Sequence, residues 1–348
     1  MLEEISMGTG DLIGGQDINS AFFQACTHAF KGGDWEKVSQ KSHAFELLEM
    51  ETDFESKKVV IGTDDPRDEY IKLAVPEIFQ ELMESGEIQL KDTSDVGHRF
   101  KFKGKSLTFD TKFIRETLFN ETIQRILKLL RDILSRKQVQ CIKHIVLVGG
   151  FSESPIVVGK IRAFITENFP GKEVVVPTSP FTAVMSGAVL YGHDPLIFNS
   201  RICRATYGIE TNRPFDPEIH KEEKKWRNKE SGEDWCKDIF GVHVKKGSSV
   251  KLGDAQPSRV YTPAYKDQTS VPLSIFMSTA DNLNTLVYTT DEHCKKVGEI
   301  VVEMPDTTGG TDRKVTVTMI YGGTELDVIA KNELSGEECK AKIRFDTS

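Results

Sequence analysis

The 348-residue sequence predicts a layered α/β domain followed by an all-β domain, and three observations carry that reading. Up to about residue 195, apolar runs suited to strands alternate with segments whose apolar residues recur at helical spacing. Within that region IVLVGGFSESPIVV, 145–158, sets a β-branched run directly before two glycines and a proline-led helix start. From Cys203 the pattern changes to short alternating segments with turns such as TTGGTD and YGGTE between them, as in a β-sandwich.

The elements follow in order. After Gly14 and Gly15, a glycine turn, Asp17 or Asn19 is placed to cap a helix on which Phe22, Phe23, Cys26 and Phe30 recur at helical spacing. The stretch 34–58 is charged and mainly helical, and it brings Glu55 and Lys58, three residues apart, onto one face. LAVPEIFQEL, 73–82, reads as a helix, and RFKFKGKSLTF, 99–109, as a hairpin around Gly104. One helix is expected from about Asp110 to Ser135, with Phe113, Leu118, Ile126, Leu127, Leu130 and Leu134 on its apolar side. The 145–148 strand then leads through Gly149 and Gly150 to a helix capped by Ser152, opened by Pro155 and reaching about Asn168. A strand, EVVVP at 173–177, and a helix at 182–192 complete the domain; Gly187 and Ala188 would let that helix pack closely on a neighbour. In the second domain strands are expected at 239–245, 258–262, 271–277, 284–289, 297–303, 313–320 and 325–330. The charged span 212–236 reads as an exposed loop with room for one frayed helix.

Composition narrows the function classes. With 45 basic against 53 acidic residues and a net charge of -8, there is no electrostatic reason to expect nucleic acid or an anionic membrane as partner. The six cysteines form no C-x-x-C pair, which argues for reduced thiols in a cytoplasmic protein and against structural zinc. No run is long enough to span a bilayer, and the N-terminus lacks a signal-peptide build. The histidines are dispersed, and neither G-x-S-x-G, H-E-x-x-H nor a P-loop occurs. Asp64 and Asp65 in GTDDPRDE read as a turn before they read as a metal pair.

Several ordered segments resemble the heat shock protein seventy family, chaperones whose nucleotide domain shares the actin fold. GTGDLIGGQDINSAFF resembles that family's glycine pair and acidic helix start, IVLVGGFSESP its adenosine motif, and PFTAVMSGAVLYG the helix that follows. ATYGIET and the tail from KVGEIVVEM to KAKIRF resemble its substrate-binding β domain, and the GGFSESP variant looks closest to the divergent class-twelve branch. The resemblance implies an α/β actin-like ATPase lobe, the second of two, over residues 1–196, then an all-β sandwich substrate-binding domain over 197–348 with the charged insertion at 212–236.

On this resemblance Gly149 and Gly150 would lie against adenosine and phosphate, Glu55 and Lys58 would reach the ribose and adenine, and Gly15 would line the same cleft. Phe151 would supply stacking, because Ser152 and Glu153 replace the family's threonine and base-stacking arginine, while Phe181 replaces an aspartate. The implied cofactor is ATP or ADP, with Mg²⁺, held weakly or not at all. Neither DLGTT nor DLGGGT occurs, so no catalytic residue is assigned and efficient hydrolysis by this chain alone is not expected. In the β domain Tyr261, Ala264 and Leu273 become candidate cleft residues for unfolded or extended polypeptide segments. The rival expectation is a nucleotide-independent interaction or scaffold module that contacts a specific protein partner.

Overall fold

A computed structural model of the protein describes residues 2–31, 44–62, 70–89, 91, 100–103, 105–281, 287–322 and 325–344. Residues 34–43, Asp64, Asp65, Arg99, Gly104 and the first half of the expected 284–289 strand, 284–286, lie outside the described residues. The chain divides into two compact units, Thr9–Leu190 and Met1–Gly8 with Tyr191–Ser348. The first eight residues join the second unit because a short strand there, β1 (Leu2–Glu3), pairs in parallel with a strand after residue 190.

In the first unit the order is α1 (Gly15–Ala29), α2 (Ala44–Lys58), β2 (Tyr70–Ala74), α3 (Glu77–Glu84), β3 (Phe100–Lys103), β4 (Ser106–Asp110), α4 (Phe119–Leu134), β5 (His144–Val146), α5 (Pro155–Asn168), β6 (Glu173–Val175) and α6 (Pro180–His193). Helix α1 buries Ile18, Phe22, Cys26 and Ala29, one stripe of a 3.6-residue period. Its Phe22 ring stacks on Phe54 of α2 at 4.1 Å and meets Phe109 of β4 edge-on at 5.0 Å, so three elements share one aromatic centre.

The helix starts three residues earlier than an Asp17 cap predicts. Gly14 is the cap, and its N–H donates to Asp17 Oδ2 at 2.7 Å, so Asp17 caps backward from the first turn. The expected helix at 73–82 divides in two. Ile71 and Leu73 alternate inward on β2, and α3 begins only after Pro76, whose ring cannot continue the strand's hydrogen bonding. Strands β2, β4 and β3 form an antiparallel sheet in that order.

The expected helix 110–135 is interrupted. A single turn at Thr111–Phe113 passes into a π-helical segment, Ile114–Leu118, before α4 begins at Phe119. Phe113, Ile114, Leu118 and Phe119 are all buried, an apolar spacing of five that an α-helix cannot keep on one side.

Strands β5 and β6 form a two-stranded parallel sheet, with Ile145 opposite Val174. The buried side chains Ile156, Val157, Ile161, Phe164 and Ile165 of α5 join Ile145 and Val174 in the core. Val146, Val148 and Val175 are exposed on the alternate positions. On α6, Phe181, Val184, Met185, Val189 and Leu190 are exposed, and a side chain added at Gly187 would meet nothing within 4 Å. The close packing expected at Gly187 and Ala188 is therefore not made with the described residues.

In the second unit follow β7 (Phe198–Ile202), β8 (Thr206–Pro214), β9 (Lys225–Arg227), β10 (Asp234–Val244), β11 (Ser249–Lys251), β12 (Arg259–Tyr261), β13 (Ser270–Ser278), β14 (Cys294–Glu303), β15 (Val315–Tyr321), β16 (Glu325–Asn332) and β17 (Glu338–Arg344). A five-stranded sheet, β14-β13-β8-β10-β9, and a four-stranded sheet, β12-β15-β16-β17, contribute to one core; β1, β7 and β11 form a third sheet. Ile209, Leu273, Ile275, Ile300 and Val302 come from the first, and Val315, Val317, Met319, Leu326, Val328 and Ile343 from the second. The strict alternation of β15 and β16, buried at every second residue, is what the apolar pattern at 313–330 encodes.

The charged span 212–236 is not a loop throughout. Strands β9 and β10 form a hairpin turned at Gly232 (φ +69°), with Trp226 opposite Trp235 and Arg227 Nη1 2.9 Å from Asp234 Oδ1. The charges occupy the outer edge of the sheet, where they hinder pairing with another chain.

Arg313, 4% exposed, closes one end of this unit. Its five N–H groups donate to the carbonyls of Gly310, Met304, Asp306, Lys266 and Gln268 at 2.7–3.1 Å. One side chain therefore ties together two separate loops.

Candidate functional site

Four elements of the first unit converge on a cavity of about 240 Å³. The start of α1 supplies Gly15 and Gln16, the end of α2 supplies Glu55 and Lys58 with Val59 beyond it, and α4 supplies Phe119. The turn between β5 and α5 supplies Gly150, Phe151 and Ser154.

Lys58 is 2% exposed and sits where α1 and α2 meet. Its ammonium donates to Gly15 O at 2.7 Å, Asn19 Oδ1 at 2.5 Å and Glu55 Oε2 at 2.6 Å. Burial pushes its pKa below the ordinary lysine value, and the bond to Glu55 opposes that shift. Asn19, also buried, uses its amide to bridge Gln16 Oε1, Glu51 Oε1 and Glu55 Oε2. A side chain at Gly15 would place its Cβ 3.3 Å from Lys58 Nζ and 3.7 Å from Phe151, so glycine keeps this corner open.

The glycine pair splits its work. Gly149 has φ +89° and ψ 161°, a region closed to other residues, and its N–H donates to Pro180 O at 2.7 Å. Gly150 lines the cavity, and a Cβ there would meet the Phe181 ring at 3.1 Å. Beyond it Phe151 lies nearly parallel to Phe119, with ring centroids 6.2 Å apart and planes 17° from parallel.

The position before the helix is taken by Ser154, not by the expected Ser152, and its side chain makes no capping hydrogen bond. Pro155 at the first helical position holds the chain in place, and Ser152 Oγ donates instead to Val148 O at 2.9 Å. Ser154 is 2% exposed, and its hydroxyl has no hydrogen-bond partner among the described residues. It is an unpartnered buried hydroxyl on a residue of the cavity wall.

Of the residues assigned to the nucleotide from sequence, Gly15, Glu55, Lys58, Gly150 and Phe151 line this one cavity, while Gly149 forms the turn behind it. Sequence reasoning missed Gln16, Val59, Phe119 and Ser154. The first two are neighbours of assigned residues. Phe119 was signalled by its spacing of five from Ile114, and Ser154 by its place directly before Pro155.

The peptide candidates fall differently. Tyr261 is half-buried on β12, with its hydroxyl hydrogen-bonded to Nε2 of His243 on β10 at 2.8 Å; burial raises the phenol pKa. Ala264 is half-buried, and its carbonyl accepts from Asn228 Nδ2 at 3.4 Å. Leu273 is 2% exposed inside the shared core, so a peptide would have to displace core packing to reach it. Among the described residues no group of three or more His, Cys, Asp or Glu is placed to hold a metal ion, and no helix is long and apolar enough to cross a membrane.

A mixed α/β unit with a strand–glycine–helix turn beside a cavity, followed by a unit of mainly antiparallel sheets, is consistent with a chaperone-like multidomain fold. The comparisons agree: the chain is a distant relative of the heat shock 70 kDa proteins. It is 29% identical to heat shock 70 kDa protein 12A of Homo sapiens over 231 residues, 66% of this chain and 33% of that protein. It is 26% identical to heat shock 70 kDa protein 12B of Homo sapiens over 357 residues, 99% of this chain and 50% of that protein. The matches thus span a third to a half of the length of these curated relatives. No protein-family model matches the chain.

Proposed function

We propose that this chain is an atypical chaperone-family protein of the class-twelve type, in which Thr9–Leu190 carries the adenosine-binding part of an actin-like lobe and the second unit engages extended polypeptide segments. The observation that carries the nucleotide reading is the convergence of Gly15, Glu55, Lys58, Gly150 and Phe151, three separate stretches of sequence, on one cavity. At about 240 Å³ it is smaller than the roughly 300–1,000 Å³ typical of drug-sized ligands, which suits a base with its ribose more than a whole nucleoside triphosphate. The Phe119 and Phe151 rings, 6.2 Å apart and thus too close to admit a base between them, would stack it from one side, and the Ser154 hydroxyl would lie near a polar edge.

No residue of this chain is assigned to Mg²⁺ or to activation of water, and hydrolysis by this chain alone is not part of the proposal. In the second unit β14, at the edge of the five-stranded sheet away from the charged β9, and β12, at an edge of the four-stranded sheet, would offer backbone of the kind that binds an added strand. A reducing cytoplasmic setting accords with six unpaired cysteines. The alternative, a nucleotide-independent interaction module, draws on the exposed apolar face of α6.

Calorimetric titration with ATP, ADP and adenosine, with and without Mg²⁺, tests the nucleotide reading. The expected result is saturable binding that weakens at least tenfold in Phe151→Ala while the fold, followed by circular dichroism, is retained. Gly149→Val is a poor test, because its positive φ makes the substitution strained whatever binds. No heat and no thermal shift at millimolar nucleotide would leave the interaction module as the function.

A further inference from the structure

We propose that the open edge of β12 takes acidic extended segments, with Arg213 and Arg259 as the groups that bind their carboxylates. This rests on the polypeptide reading of the second unit given above and names the class of segment bound.

The two larger sheets end in four edge strands, β14, β9, β12 and β17. On three of them basic residues are answered within the chain. Lys225 and Arg227 of β9 pair with Asp234 at 3.4 and 2.9 Å, and Lys296 of β14 pairs with Glu299. On β17, Lys340 pairs with Glu338 at 3.5 Å, while Lys342 and Arg344 pair with Glu325 at 3.4 and 3.5 Å. The edge at β12 is different. Its Arg259 is exposed and has neither an ion pair nor a side-chain hydrogen bond among the described residues, and the same holds for Arg213 of β8.

Both arginines attend one place. Arg259 and Tyr261 share a face of β12, the face of Val317 and Val315 opposite them. The Tyr261 hydroxyl meets His243 Nε2 at 2.8 Å, and a Cβ on Gly241 would lie 3.7 Å from that hydroxyl and 3.2 Å from Thr211 Cγ2. Thr211 and Arg213 in turn alternate onto one face of β8. Burial raises the Tyr261 phenol pKa, and the charges of Arg259 and Arg213 oppose that rise, so both guanidiniums lie within electrostatic reach of this hydroxyl.

The backbone is open here too. Among the described residues β12 pairs with β15 alone, and β8 pairs with β13 only up to Ile209, so its stretch from Glu210 to Pro214 is bonded on one side, by β10. A segment added to β12 brings every second side chain onto the face of Arg259 and Tyr261. Carboxylates at those positions meet forked donors with no competing acid, whereas lysines there meet like charge.

Fluorescence anisotropy of the full chain tests this with three labelled extended peptides that carry glutamate, glutamine or lysine at alternate positions and valine between. The glutamate peptide is expected to bind about tenfold more tightly than the glutamine peptide, with an advantage that shrinks as salt rises. In the double variant Arg213→Gln, Arg259→Gln the glutamate peptide should fall to the affinity of the glutamine peptide. The melting temperature should not change, since the two exposed guanidiniums hold nothing in the free protein. Equal binding of the glutamate and glutamine peptides, tighter binding of the lysine peptide, or a glutamate preference that survives in the double variant would overturn the proposal and leave polypeptide binding standing. Binding of none of the three would remove the polypeptide reading and the proposal together.

Discussion

Replacing Lys58 by methionine tests how the site is held together, because one buried ammonium joins the start of α1 to the end of α2. Three hydrogen bonds are lost. The one to Glu55 counts for little, since that side chain is 47% exposed and water can replace the ammonium. The bonds to Gly15 O and Asn19 Oδ1 have no such replacement, and hydrogen bonds from a charged donor contribute about 1.5–3 kcal/mol each. Methionine also relieves the desolvation cost that drives the Lys58 pKa down, so the net loss is about 2–4 kcal/mol. For a unit of this size that corresponds to a fall of roughly 5–15 °C in melting temperature.

The assay is thermal and urea unfolding of parent, Lys58→Met and Lys58→Arg. Arginine is not expected to restore stability, because a planar fork does not match three acceptors arranged around a point. The pH dependence has a definite sign. With its pKa lowered in the folded state, Lys58 gives up its proton before the unfolded chain does. Stability from this group therefore rises as pH climbs from the lowered pKa toward the ordinary value of 10.5, and Lys58→Met loses that rise. A Lys58→Met protein melting within a degree or two of the parent would refute the reasoning.

Two further predictions concern the second unit. Burial, reinforced by Arg259, pulls the pKa of His243 down to about 4 from 6.5. The unfolded chain then takes up this proton first, so stability present above pH 6.5 is lost progressively toward pH 4, by about 3 kcal/mol; urea unfolding at pH 7.5, 5 and 4 should show a smaller loss in His243→Gln. Arg313→Lys leaves at most three donors for five carbonyls and should cost about 2–4 kcal/mol, with faster amide exchange in 263–269 and 304–312 as the local signature.

Where one periodicity governs, the sequence was readable. Ile18, Phe22 and Cys26 announce the buried stripe of α1, and the alternation of β15 and β16 is written directly in 315–332. Reading failed where two local preferences compete. Leu73 fits either a helix or a strand, and its pairing with Leu107 decides the matter; that pairing is not local. Charge hid the β9–β10 hairpin, since Trp226 and Trp235 signal a strand only once they stand opposite each other. Ser152 and Ser154 are equally good caps by composition; the fold sets Ser154 at the cap position because Pro155 occupies the first helical position, and leaves its hydroxyl unused there. The five site residues read from sequence came from resemblance together with spacing, whereas Phe119 and Ser154 required knowing how the turns are set.

The π-helical segment Ile114–Leu118 makes the cavity wall depend on a residue count as well as on residue identities. A π turn holds one residue more than an α turn, so winding Ile114–Leu118 into a continuous α-helix at unchanged length would carry that extra residue into the phase of the helix. Everything on one side of the segment would then rotate by about 100° relative to the other, a single residue's step around the axis. With the core side of the helix held by Phe113 and Ile114, Phe119 would swing away from Phe151 while every cavity-lining residue kept its identity. In gene terms a chain one codon shorter at 114–118 keeps the same wall with an unbroken α-helix, while a chain of this length needs the wide turn to hold Phe119 in place.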